Sequence, residues 1–167
     1  GKSAGLLLQG AAQENTLIGA NAGDSLTTST SNTVVGFEAL STATTYSENT
    51  AIGYGSQKAS SSGHSNTSVG HETLLALNTG TLNVAVGHDA GIVLEGGVAG
   101  TFLGADSGSV TTDGSNIINV GSSSRASGAS INNEITIGHN SIGKGTNTAF
   151  INPNGGGVFQ GNNSTTW

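Results

Sequence analysis

"SENTAIGYGSQ", Ser47 to Gln57, decides the fold because the chain repeats it at a fixed distance on both sides. "NTVVGFEAL" begins at Asn32, "NTAIGYGSQ" at Asn49 and "NVAVGHDAG" at Asn83. Glycine stands at Gly19, Gly36, Gly53, Gly70, Gly87, Gly104, Gly121 and Gly138, each step being 17 residues without an insertion. A fixed short period is the mark of a stacked-repeat architecture.

The columns around the glycine carry the structural reading. One residue before it stand Ile18, Val35, Ile52, Val69, Val86, Leu103, Val120 and Ile137, all aliphatic. Three before it stand Thr16, Thr33, Thr50, Thr67, Val84, Thr101, Ile118 and Ile135, all β-branched, which suits a pleated strand. Three after it stand Ala22, Ala39, Ser56, Thr73, Ala90, Ser107, Ser124 and Ser141, all small. Four before it, Asn15, Asn32, Asn49, Asn66 and Asn83 form an unbroken asparagine column.

A repeat of 17 residues is too short for a helix pair. It fits one coil of a parallel β-solenoid with a short strand, a turn, a second short strand and a turn. Coils stack at about 4.8 Å, so eight of them make a rod of roughly 40 Å. The aliphatic column before the glycine is expected to fill the core, with Val69 pointing inward between Ile52 and Val86. Stacked asparagines can pair their amides along the rod. The glycines mark a turn that side chains forbid, or a close backbone approach. The connectors "STATTYSE", "KASSSGHS" and "ALNTGTL" read as variable loops on one edge. Residues 1–14 read as an N-terminal cap or partial coil, 15–142 as the repeats, and 143–167 as a C-terminal exit segment.

Composition narrows the function classes. The 167 residues include 28 glycines, one proline (Pro153) and no cysteine. Charged residues make up 8% and hydrophobic ones 34%, against about 25% and 45–50% in ordinary domains. Low hydrophobicity alone would suggest disorder, but disorder usually brings high net charge, and the repeat argues for order. With 4 Lys+Arg against 10 Asp+Glu the net charge is -6, so the cationic surface that nucleic acids and anionic membranes require is missing. The apolar run "GLLLQG" is far shorter than a membrane span of about 20 residues. No basic stretch precedes it that would make a signal peptide. Without cysteine there is no disulfide framework and no thiolate metal site.

One residue after the glycine, Phe37, Tyr54, His71 and His88 form a bulky, partly apolar ladder between Ala20 and Ala105, with Ser122 and His139 further on. These four residues are the candidate inter-chain surface, because a roll this thin has little core of its own. Among His64, His71, His88 and His139, only His71 and His88 should stack in adjacent coils. They give one nitrogen per layer where a closed metal site needs about four ligands. In a trimer three copies of His71 could converge on an axial ion, but the histidines are read as a packed or hydrogen-bonded ladder, with no metal or cofactor assigned. Glu38, Glu72, Asp89 and Asp106 share the next column, which Gly55 interrupts. Paired carboxylates can serve glycoside hydrolysis or calcium, but this column reads as solvated. No nucleophile elbow, phosphate loop or dinucleotide fingerprint appears, and no catalytic residue is assigned. Gly155–Gly157 reads as a turn-rich exit near Asn154.

These motifs resemble the head repeats of YadA-like trimeric autotransporter adhesins, and more strongly the related repeats of phage and virus tail fibres. The resemblance runs from about Asn15 to Ile142. The tail "GTNTAFINPNGGGVFQGNNSTTW" is similar to the segment that precedes the self-cleaving chaperone domain of such fibres, a domain expected beyond Trp167. Bacterial heads usually repeat at a shorter interval, which favours the virion branch. The resemblance implies a left-handed β-roll, a homotrimeric rod and attachment to a host cell-surface receptor such as a glycan. The expected location is the virion surface, or the bacterial surface under the adhesin reading. A pure spacer is the nearest alternative. An ice-binding solenoid is a remote one, because the threonine column is interrupted by Val84 and Ile118 and is expected to face inward or lie between chains.

Overall fold

The computed structural model describes residues 1–10 and 12–152. They form an all-β solenoid of about eight turns. Nine short parallel strands lie side by side in one sheet, in chain order. They are β1 (Thr16–Ile18), β2 (Thr33–Val35), β3 (Thr50–Ile52), β4 (Thr67–Val69), β5 (Val84–Val86), β6 (Thr101–Leu103), β7 (Ile117–Val120), β8 (Glu134–Ile137) and β9 (Ala149–Ile151). No helix occurs among the described residues.

The register is the one the period dictates: Thr33 pairs with Thr50, Ile52 with Val69 and Val69 with Val86. From β8 to β9 the step shortens from 17 residues to 14, Ile135 pairing with Ala149. The stack therefore continues past Ile142, and residues 143–151 are a short further coil rather than an exit. At the other end, Gly5, Leu7 and Gln9 donate backbone hydrogen bonds to Ala22, Asp24 and Thr27, a partial coil beneath the first. Asn154 and Gly155–Gly157 lie outside the described residues.

The eight register glycines take φ between 125° and 143°, a region closed to side chains. Two or three further left-handed positions bend each coil, as at Glu48, Glu72 and Leu74, with φ of 62°, 49° and 50°. The expected second strand is accordingly replaced by turns, and each coil contributes one strand.

The asparagine column forms a continuous ladder. The Asn49 Nδ2 donates to Asn32 Oδ1 at 3.3 Å, the Asn66 Nδ2 to Asn49 Oδ1 at 3.2 Å, and the Asn83 Nδ2 to Asn66 Oδ1 at 3.1 Å. Each Oδ1 also accepts the next coil's backbone N–H, ending at Gly100, whose N–H lies 2.8 Å from Asn83 Oδ1. Asn66→Leu would strand the Asn83 N–H and the Gly80 carbonyl inside the rod. A loss of roughly 2–4 kcal/mol in urea melts is expected, against less than about 0.5 for Ser122→Ala at the surface.

Strand parity corrects the core assignment. Because Asn32, Asn49, Asn66 and Asn83 point inward, the residue two further on also points inward and its neighbours point out. The inner column is Val34, Ala51, Ser68, Ala85, Phe102, Asn119 and Thr136, all buried, led by a half-buried Leu17. The aliphatic column expected in the core faces outward instead. Ile18 and Leu103 are 58% and 45% exposed, and Val35, Ile52, Val69, Val86, Val120 and Ile137 are half-buried. The small column after the glycine is buried throughout, from Ala22 to Ser141.

The connectors are also not free loops. Ala43, Tyr46, Ser60 and Leu77, all inside the three quoted connectors, are fully or almost fully buried and close the far side of the core. Burial pushes the Tyr46 hydroxyl up to about 12, and Asn66 Nδ2 donates to its oxygen at 3.3 Å. Two apolar clusters result, one around Leu26, Leu40 and Tyr46 and one around Leu74, Leu94 and Phe102. A polar layer lies between them, where Ser56 and Ser68 share a 2.5 Å hydrogen bond and Gln57 Nε2 donates to Ser68 Oγ at 2.7 Å.

Candidate functional site

Two surfaces stand out, and both follow from the parity of the strands. The first is the outer face of the sheet. It carries the aliphatic column and, two residues before it, the column Thr16, Thr33, Thr50, Thr67, Val84, Thr101, Ile118 and Ile135. Every side chain on these two columns is β-branched or leucine. The threonines lie outward, not in the core. Val84 is 41% exposed, and Ile151 on β9 extends the same apolar character to the last strand at 45%.

The second is the ladder at the corner just after each glycine. Since coils stack in register, Phe37, Tyr54, His71 and His88 are brought together as the sequence predicts. Ring centroids are 5.6, 5.0 and 4.8 Å apart along the series, with planes within 12° of parallel. Phe37 and Tyr54 are each 45% exposed. The ring faces are turned on one another, so the strip presents edges to solvent. His64 and His139 are exposed and stand apart from this stack: His64 is in a connector, and Ala105 and Ser122 separate His139 from His88 in the column.

The carboxylate column lies beside the ladder. Glu38, Glu72, Asp89 and Asp106 hold φ from 49° to 56°, a left-handed turn more readily adopted by Asp than by Glu. Glu38 accepts a 2.6 Å charge-assisted bond from Lys58 Nζ, which holds the Lys58 ammonium above its ordinary range. Asp89 turns toward the histidines. Its Oδ2 is 3.3 Å from His88 Nδ1 and its Oδ1 is 3.7 Å from His71 Nδ1. The three ligand atoms of His71, His88 and Asp89 all lie within 4.8 Å of one another. This approach escaped the sequence reading, which placed Asp89 in a solvated column of its own.

Glu134 replaces asparagine near the C-terminal end of the stack. It is fully buried and its carboxylate accepts backbone N–H groups from Ser127 at 2.9 Å and Gly145 at 2.5 Å. It ties two turns to β8, a structural role the sequence did not signal.

No helix among the described residues is long and apolar enough to cross a membrane. Comparison with known proteins adds no relative: no family model matches the chain, and no curated protein or solved structure matches it significantly.

Proposed function

We propose that this chain is the β-solenoid segment of a homotrimeric attachment fibre, a tail fibre on a virion surface that contacts a host-cell receptor. It is a non-enzymatic rod working by rigidity and multivalent display. The observation that carries this reading is the outer sheet face. A β-branched, largely apolar strip runs the length of the stack, left half-buried to exposed by the described residues, and soluble monomers rarely expose such strips. Two further copies of the same face, related by a three-fold axis, would cover it in all chains at once. Closed cyclic symmetry would also stop association from running on into filaments. The resemblance to fibre and adhesin repeats points the same way. Three identical outer surfaces on one rod add avidity to weak receptor contacts.

Light scattering on purified protein tests the assembly. The expected mass is three times the 16.3 kDa of one chain. A folded, cooperatively melting monomer would overturn it. Binding to a glycan array or to host cells then separates an adhesive rod from a spacer, and an unbound trimer would favour the spacer.

One observation favours a second reading. Thr16, Thr33, Thr50, Thr67 and Thr101 lie outward on the one parallel sheet, as an ice-binding surface would require. A monomer with measurable thermal hysteresis would support that reading over the fibre.

A further inference from the structure

We propose that His71, His88 and Asp89 bind a first-row divalent transition-metal ion of the zinc type within a single chain. The donor set is two imidazole nitrogens and one carboxylate, the ligands that Zn2+ and its neighbours take up. A tetrahedral ion with bonds of about 2.0–2.1 Å sets its ligand atoms about 3.3–3.4 Å apart. The nearest nitrogen-to-carboxylate approaches, 3.3 Å from His88 Nδ1 to Asp89 Oδ2 and 3.7 Å from His71 Nδ1 to Asp89 Oδ1, lie near that edge, and one ligand atom from each of the three residues lies within 4.8 Å of the others.

The carboxylate gives a second reason. Asp89 Oδ1 is shielded from solvent and accepts no hydrogen bond among the described residues. An oxygen in that position is costly to leave unsatisfied, and a cation held between the carboxylate and the two imidazoles removes the cost. Glu72 and Asp106, in the same column one coil to either side, add negative charge around the site. The αL backbone of Asp89, at φ 55°, fixes where its carboxylate starts.

The rings are nearly parallel, 4° apart, so one imidazole must tilt for both lone pairs to reach a common ion. Both side chains have the freedom to do so, being 45% and 60% exposed. Three protein ligands leave a fourth position open to water or to an incoming ligand. The site is complete within one chain and stands whether or not the chains associate.

The test is titration of metal-free, untagged protein with Co2+, read by its visible d–d absorption, and with Zn2+, read by calorimetry. One ion per chain is expected, with a Zn2+-dependent rise in melting temperature. His88→Ala and Asp89→Asn should each weaken binding at least about ten-fold, while His64→Ala and His139→Ala leave it unchanged. Circular-dichroism melts of the metal-free variants separate lost ligation from lost folding, and His88→Ala alters the more exposed ring. Binding that survives both His88→Ala and Asp89→Asn, or no saturable binding at millimolar ion, would overturn the proposal.

Discussion

Gly70→Val should abolish the fold or remove more than about 4 kcal/mol of stability, while Ser61→Ala in the neighbouring connector changes it by less than about 0.5. Two independent terms act at Gly70. Its φ of 141° is a conformation that β-branched residues avoid. A Cβ placed there would also overlap the Gly87 carbonyl oxygen and stand 2.7 Å from the carbonyl carbon. That neighbour is backbone, held by Gly87 N–H donating to the Val69 carbonyl at 2.9 Å, so it cannot move aside without opening the stack. The same approach recurs from coil to coil, so local relief would have to pass along the rod. Gly70→Ala removes the β-branching and keeps the overlap, and it should remain severely destabilised. Melts followed by circular dichroism check all three variants. Equal, small effects at Gly70 and Ser61 would mean that the glycine spacing reflects sequence duplication alone.

This period was legible in the sequence because it is a backbone requirement, repeated wherever one coil lies on the next. The asparagine ladder and the buried small column were legible for the same reason, since each member meets its own kind above and below. The direction of the aliphatic column was not. Uniformity suggested a core, yet the core column is the varied one, running from Ala51 and Ser68 through Ala85 to Phe102. Its volume is shared between levels. Phe102 is fully buried because Gly91, Gly100 and Gly108 leave room around its ring, and a Cβ at Gly91 would stand 3.3 Å from it. Ala85 sits in the same cluster as Leu74, which reaches over Gly91 from the preceding coil. Large and small side chains exchange places between columns at constant packing density, so no single column announces itself as interior. The ring ladder was legible because all four residues occupy one column. The approach of Asp89 to the histidines was hidden because it crosses columns through a left-handed turn.

Ala85→Asp and Val69→Asp, on adjacent strands, should therefore behave differently. Ala85 is fully buried, packed with Leu74, Leu77 and Phe102. A carboxylate there has no buried lysine or arginine among the described residues to pair with, and little room. Desolvation and overpacking together are expected to exceed about 4 kcal/mol, enough to unfold the chain at any protein concentration. Val69 sits between Ile52 and Val86 in the ladder, but on the outer face and half-buried. In an isolated chain its carboxylate can reach water, and the intrinsic cost should stay below about 1 kcal/mol. If three copies cover this face, the same substitution places three like charges against one another across the interface. The result would then be dissociation and a melting temperature that rises with protein concentration. Light scattering and thermal melts at two concentrations distinguish the cases. Concentration-independent unfolding by Val69→Asp, as severe as that by Ala85→Asp, would mean the strands are turned the other way. A Val69→Asp chain that stays trimeric with an unchanged melt would mean that something other than this face joins the copies.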